Sequence, residues 1–389
     1  MKEEAVAEQN RPLIYIVIGE ESGDQLGARA VLALKSATGG QIAFAGLAGE
    51  RMQAEGLKSL FPLQDIAVMG LVNIIKQYPA LHRRGMEVVA DILATKPDLL
   101  LIIDSPEFTH AVAKRVRKQR PDLPIVNYVS PSVWAWRPGR AKKMARYVDH
   151  VLALLPFEVQ AHKDLGGPAC SYVGHPLIER LDVLRPSEGE RGPLDAPVLL
   201  VLPGSRRSEV SRLMVEFGAV VAQAKAQHPN LRVILPAVSH LRSLIDEGLQ
   251  DWTVAPEIVE GEAAKFAAFR QAHAALAASG TVTLELGLAG IPMVVAYKVD
   301  WLMGKLKFLF KAHSFVLTNL VLGHNAIPEF LDEDANADTL AAHLLPLLSD
   351  SQERAAQMAA LQLLDERMQL PEGTPSGQVA RIVLDHLAK

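Results

Sequence analysis

Short apolar runs alternate along the chain with segments of helical period. Runs of strand length lie at Leu13–Ile18, Ala43–Ala45, Leu99–Ile103, Ile125–Val129, His150–Leu154 and Ser171–Val173, and a second series at Val198–Leu202, Arg232–Pro236, Ala274–Ala277 and Pro292–Ala296. This alternation predicts an α/β protein with parallel sheets. Between strands, Val210, Leu213, Met214, Phe217, Val220, Val221 and Ala224 keep the i, i+3, i+4, i+7 spacing of one buried helix face.

Each series opens alike, an apolar strand running into a small-residue loop and then a helix: LIYIVIGEESGD from Leu13 and VLLVLPGSRRSE from Val198. Two doubly wound Rossmann-like domains facing across a cleft are predicted, with ligands at the carboxyl ends of the strands. The polar stretch Arg185–Pro197, bearing Pro and Gly, is the predicted linker. It divides an amino-terminal domain, 13–185, from a carboxyl-terminal one, 186–360. Terminal helices occupy 361–389, and their return to the amino-terminal domain stays open. Residues 1–12 are expected to be a disordered tail, without the apolar stretch of a secretory signal.

Composition narrows the function classes. At 389 residues, 49% hydrophobic and 22% charged, the chain is long and apolar enough for two cores, which excludes a disordered or fibrous protein. Its 40 Lys and Arg against 44 Asp and Glu leave a net charge of -4, so no nucleic-acid partner is expected and any anion site must be local. A single cysteine, Cys170, forms neither an internal disulfide nor a thiolate metal cluster and suits the cytoplasm. No eighteen apolar residues run together, so no spanning helix is expected; a peripheral membrane contact stays open.

Candidate chemistry sits where strands meet helices. Gly204, Ser205 and Arg206 follow one strand, where free amides and the positive helix end suit an anion and Arg206 adds a charge. Ser279, Gly280 and Thr281 form a second such loop, and Glu285 just beyond either bonds a ribose diol or supports the helix start. Asn319 either lines the same cleft or caps a helix before the Ile327-Pro328 turn. In the first half, the glycines of Gly19–Gly27 match neither a dinucleotide fingerprint nor a P-loop, but Glu20, Ser22, Gly23 and Asp24 suit the polar head of a second substrate.

Asp104 ends an apolar strand before Ser105-Pro106 and is the general-base candidate, with an N-cap as the plain alternative. The loop Ser130–Arg137 carries two of the four tryptophans, Trp134 and Trp136, and precedes Arg140, Lys142, Lys143 and Arg146, a composition suited to ligand contact through Trp134 and Arg137. His175 reads as a hinge residue. Asp332-Glu333-Asp334 follows no clear strand and reads as a solvated cap. No metal site and no cofactor are expected.

GEESGDQLG, IDSPEF, VSPSVWAWR, LPFE, YVGHP, LPGSR and SGTVTLE, in this order from Leu13 to the last helix, resemble the lipid-A-disaccharide synthases of Gram-negative bacteria. Glu21 departs from the small residue usual there, and His324-Asn325 from a basic and acidic pair. The resemblance implies a GT-B fold and an inverting transfer from UDP-2,3-diacylglucosamine to 2,3-diacylglucosamine 1-phosphate (lipid X), giving a β-1,6-linked disaccharide and UDP. Asp104 would be the base, the carboxyl-terminal domain would bind the donor, and the GEESGD loop would hold the acceptor. The alternative is a sugar-nucleotide 2-epimerase of the same architecture. Two diacylated substrates imply a peripheral enzyme on the cytoplasmic face of the inner membrane. Trp301–Lys311, with apolar residues interleaved among Lys305, Lys307 and Lys311, and Met69–Ile75 are the membrane-contact candidates.

Overall fold

The computed structural model describes residues 11–66, 71–298 and 312–388. They contain two six-stranded sheets, parallel throughout. The first comprises β1 (Leu13–Ile18), β2 (Ala43–Leu47), β3 (Leu99–Ile103), β4 (Ile125–Tyr128), β5 (His150–Ala153) and β6 (Ala169–Tyr172), in the order β2-β1-β3-β4-β5-β6. The second comprises β7 (Val198–Leu202), β8 (Arg232–Ala237), β9 (Glu257–Glu260), β10 (Ala274–Ala278), β11 (Met293–Tyr297) and β12 (Glu329–Leu331), in the order β12-β11-β10-β7-β8-β9. The central strands β3, β7 and β10 are buried at every position. A parallel sheet is covered by helices on both faces, which is why these strands read as unbroken apolar runs.

Both strand orders reverse once. In the first sheet β2 lies on one side of β1 and β3 on the other, with Ile18 beside Ile103 at the carboxyl ends. In the second, β7 stands between β8 and β10, with Leu202 beside Ala277. At such a reversal the two following loops diverge to opposite faces and leave a crevice, the usual ligand position of doubly wound sheets. The loops concerned are those after β1 and β3 in one unit, and after β7 and β10 in the other.

Residues up to Pro176 together with those from Leu370 onward form the first unit, and Leu177–Gln369 the second. The chain therefore crosses after Pro176, ahead of the predicted linker. Arg185–Pro197 belongs to the second unit, where Arg185 Nε donates to Leu288 O at 2.9 Å and Arg191 Nη1 to Gly290 O at 3.1 Å. The helix Gln352–Met368 stays with the second unit, whereas Pro375–Leu387 buries Val379, Ala380, Ile382 and Val383 in the core of the first. In the helix Arg207–Gln227 the whole predicted stripe from Val210 to Ala224 is buried.

Among the described residues no helix is long and apolar enough to cross a membrane. Trp301–Lys311 lies outside the described residues, as do Met69 and Gly70; Leu71 to Ile75 open the helix Leu71–Thr95.

Candidate active site

The second unit holds a cavity of about 610 Å³ at its strand reversal, lined by Gly204, Ser205 and Arg206 after β7, Val238 and Ser239 after β8, and Ser279, Gly280 and Thr281 after β10. Glu285 and Lys265 complete one wall: Lys265, on the helix Glu262–Gln271, donates to Glu285 Oε2 at 2.8 Å. Gly280 has open space where a Cβ would stand, so nothing of the protein crowds that backbone. At the head of the helix Val282–Leu288 the amides of Thr283 and Leu284 donate to Gly280 O at 3.1 Å and Thr281 O at 3.0 Å, which closes the turn. Ser279 Oγ donates to Phe315 O at 2.6 Å, which fixes the loop.

Two donor-side expectations change. The amides of Ser205 and Arg206, expected to be free for an anion, both donate to Glu209 Oε2, at 3.0 and 3.2 Å. Arg206 Nη1 donates to the other oxygen at 2.9 Å, so a buried carboxylate already fills this cradle while the Arg206 side chain remains largely exposed at the cavity. Glu209 stands three residues after the cap, the second half of a capping box. Arginine in place of the usual Ser or Thr cap hid that signal. Asn319 is not a ligand contact: it is fully buried, its Nδ2 donates to Ile327 O at 2.9 Å and its Oδ1 accepts from Ile327 N at 2.8 Å. Both ends of the amide clamp the turn before Pro328. Lys265 escaped the sequence reading because its partner lies twenty residues away on another helix.

In the first unit the reversal joins Gly19–Gly23 to Asp104. Ser22 Oγ donates to Asp104 Oδ2 at 2.8 Å, and Ser105 N donates to Oδ1 at 2.7 Å. Asp104 and Ser105 have φ of +55° and +41°, a left-handed turn uncommon for residues other than glycine. Such strain is typical of functional positions. Gly19 permits it, since a Cβ there would stand 2.2 Å from Ser105 Cβ. Ser105 Oγ donates to Glu20 Oε1 at 3.1 Å. Burial and the neighbouring Asp104 charge raise Glu20 above the ordinary carboxylate range. Two carboxyl groups thus face one small space.

Two neighbours in that loop serve the fold instead. Asp24 is buried and accepts from the amides of Gly49, Arg51 and Met52 at 2.9, 2.8 and 3.1 Å, capping the helix Glu50–Ala54. Three of the roughly four acceptor positions of its carboxylate are thus taken by the backbone. Gly23 is buried, and a Cβ there would lie 3.2 Å from Ile18 Cβ, so it lets the helix Glu21–Ala37 approach β1.

The loop after β4 begins at Val129, φ +75°, and ends at Arg137, φ +52°. Asn127 Nδ2 donates to Val129 O at 2.9 Å and holds the first strained residue. Trp134 is half-buried, edge-on to Phe157 at 5.2 Å, and its indole N-H donates to Glu158 Oε1 at 3.2 Å. Leu155 N donates to Glu158 Oε2 at 3.0 Å, and Ser130 Oγ lies 2.9 Å from His162 Nε2. Trp134 therefore offers a ligand its ring face but no free donor. Burial outweighs these hydrogen bonds and pushes Glu158 up to about 7. His175 is kept neutral by burial, which lowers it to about 4. Asp332-Glu333-Asp334 does follow a strand, β12, and its last two residues are exposed; the cap of the next helix is Asn336. Among the described residues no three His, Cys, Asp or Glu side chains group as metal ligands.

Two parallel-sheet units, each with its loops gathered at a strand reversal, define the GT-B class of nucleotide-sugar enzymes. A calicheamicin glycosyltransferase matches with a TM-score of 0.59 at 15% identity, covering 98% of this chain and 99% of its own. A UDP-GlcNAc 2-epimerase from Neisseria meningitidis matches with a TM-score of 0.59 at 14% identity, covering 97% of this chain and 99% of its own. These likenesses establish the fold alone. Sequence narrows the class: the chain belongs to the lipid-A-disaccharide synthetase family, whose model matches residues 14–383. The lipid-A-disaccharide synthase of Rhodopseudomonas palustris strain HaA2 is 49% identical over 379 residues, 97% of this chain and 96% of that one. The chain is thus a glycosyltransferase, and the epimerase alternative survives only as a distant structural neighbour.

Proposed function

We propose that the first unit presents the 6-hydroxyl of 2,3-diacylglucosamine 1-phosphate to Asp104, and that the cavity of the second unit holds UDP-2,3-diacylglucosamine. Asp104 accepts the hydroxyl proton as O6 bonds to the donor C1. The bond from C1 to the diphosphate breaks on the opposite face, which inverts the anomeric centre and releases UDP. Glu20 and Ser22 orient Asp104, Trp134 stacks on the acceptor, and Arg137 adds a polar contact. On the donor side Arg206 and the backbone at Gly280 and Thr281 meet the diphosphate, Gly204, Ser205 and Ser279 shape the loops, and Glu285, held by Lys265, meets the ribose.

The observation that carries this reading is Asp104 itself, a carboxylate in a strained turn at a strand reversal with a serine hydroxyl on one oxygen. A positioned base contributes about 10²- to 10⁴-fold, and fixed donors at the leaving diphosphate stabilise the charge that develops there. Because both substrates carry two acyl chains, and each buried CH₂ contributes about 0.8 kcal/mol, the enzyme works at the cytoplasmic face of the inner membrane as a peripheral protein. The test is incubation of purified protein with both lipids. Disaccharide and UDP appearing together support the reading. Conversion of the donor alone to a 2-epimer, with no disaccharide when the acceptor is added, overturns it.

A further inference from the structure

Of the cations that close and follow the tryptophan loop, only Arg137 has a part in the chemistry above, an unspecified polar contact with the acceptor. Arg137, Arg140, Lys142, Lys143 and Arg146 occur within ten residues that contain no acid, on a chain whose net charge is -4. Arg137 is exposed, in a strained backbone with φ +52°, its guanidinium 5.5 Å from the Trp136 ring centroid. Arg140 Nη2 donates to Glu107 Oε1. The exposure of this pair is unequal: 22% for the Arg140 side chain and 77% for Glu107. The cation is held against the protein, and its carboxylate partner is the solvent-facing member.

Lys114 comes to the same place from the helix Pro106–Gln119, its Nζ 5.0 Å from the Tyr147 ring centroid. Burial, then the charges of Arg140, Lys143 and Arg115, depress its ammonium against the opposing pull of Glu107. For Glu107, burial is outweighed by the Arg140 hydrogen bond and the charges of Arg140, Arg137 and His110, which hold it below the usual range. Arg137, Arg140 and Lys114 thus converge on one carboxylate that stands in the first turn after Asp104-Ser105, and Lys143 acts on Lys114.

We propose that Arg137 and Arg140, supported by Lys114 and Lys143, form the subsite for the anomeric phosphate of the acceptor, and that Glu107 is the exchangeable counter-ion of that site. The proposal rests on the acceptor reading above. A phosphate monoester carries about -1.5 to -2 charges near neutral pH. One glutamate cannot match it on four cations, and planar guanidinium groups grip it bidentately. The spacing agrees with the substrate. C1 and C5 of a pyranose flank the ring oxygen and C6 hangs from C5, so the phosphate lies about one sugar ring from the reacting 6-hydroxyl. Glu107 lies three residues after Asp104, in the first turn of the helix Pro106–Gln119.

The test compares two acceptors in neutral detergent, 2,3-diacylglucosamine 1-phosphate and the same lipid with a free 1-hydroxyl, by their ratio of kcat/KM. Charge-assisted bonds of about 1.5–3 kcal/mol give the wild type roughly a 10- to 100-fold preference for the phosphate. Arg140→Gln and Arg137→Gln should each cut that ratio about tenfold. Glu107→Gln, which removes the competing carboxylate, should raise it. Ratios within twofold of wild type in both arginine variants overturn the subsite, as does a tenfold fall in Glu107→Gln. Loss confined to anionic vesicles, and equal for both acceptors, overturns it in favour of bilayer contact. If the wild type makes disaccharide from neither acceptor, the glycosyl-transfer reading fails, and the subsite with it.

Discussion

Ser22 and Asp104, 82 positions apart in the chain, meet at 2.8 Å because β1 and β3 are neighbours that end side by side. The hydroxyl donates to one carboxylate oxygen and the Ser105 amide to the other, so the turn holds the side chain in one orientation. Asp104→Asn keeps the shape and removes the base. We expect turnover to fall at least about a hundredfold while UDP affinity by calorimetry stays within twofold. Turnover within threefold of wild type would remove Asp104 from the chemistry.

Arg206 now has two roles to separate. Its guanidinium bonds Glu209, yet the side chain is 74% exposed beside the cavity. If it meets the diphosphate both before and during departure, Arg206→Ala should weaken UDP binding and lower kcat/KM together, each about tenfold or more. An unchanged UDP dissociation constant with reduced thermal stability would show that Arg206 serves only the Glu209 cap.

Asp24 and Asn319 supply the reverse case. Asp24 was expected to touch substrate and Asn319 either to line the cleft or to cap a helix; each satisfies backbone groups. Removing a buried acceptor leaves its donors unpaired, at about 1–3 kcal/mol each. Asp24→Ala and Asn319→Ala should therefore lower the urea midpoint, with a loss of several kcal/mol in unfolding free energy, and variants that fold at low temperature should keep the wild-type KM for both substrates. A raised KM with an unchanged midpoint is the outcome that restores their binding roles.

These residues show where a single sequence stops being informative. The inner strands were legible because every position of β3, β7 and β10 is buried, which writes the strand as an apolar run. The edges β9 and β12 were not: both are short, half-exposed and carry Glu257, Glu260 and Glu329, as an edge that must avoid pairing with other chains often does. Loops at strand ends were found from their small residues. Which of their polar side chains face a ligand was hidden, because the amides that claim Asp24 lie 25 to 28 residues onward. Glu158 was invisible for a related reason. Its burial and its bond to Trp134 depend on a helix packed beneath the loop, and no local pattern marks that.

Glu158 also sets a pH dependence of opposite sign to that of the buried histidines. Burial raises it from 4.5 to about 7, against the bonds from Leu155, Trp134 and Ser130, and Cys170 on β6 is the titratable neighbour whose thiol its charge helps to raise. A folded-state value above the unfolded one means the folded chain holds the proton more tightly. The stability this contributes is complete below pH 4.5 and is lost as the pH rises through about 7. At about 1.4 kcal/mol per tenfold change in proton affinity, the loss is on the order of 3 kcal/mol. His110 and His175 act the other way: burial lowers both to about 4, so their contribution is present above 6.5 and lost as the pH falls towards 4. Comparing wild type with Glu158→Gln cancels the histidines. The variant should gain stability relative to wild type between pH 5 and pH 8, by a few kcal/mol in urea unfolding, while Trp134 keeps an acceptor for its indole N-H. Stability curves that run parallel across this range would mean that Glu158 is ionised in the fold at every pH tested, and that the indole is held by a charged carboxylate.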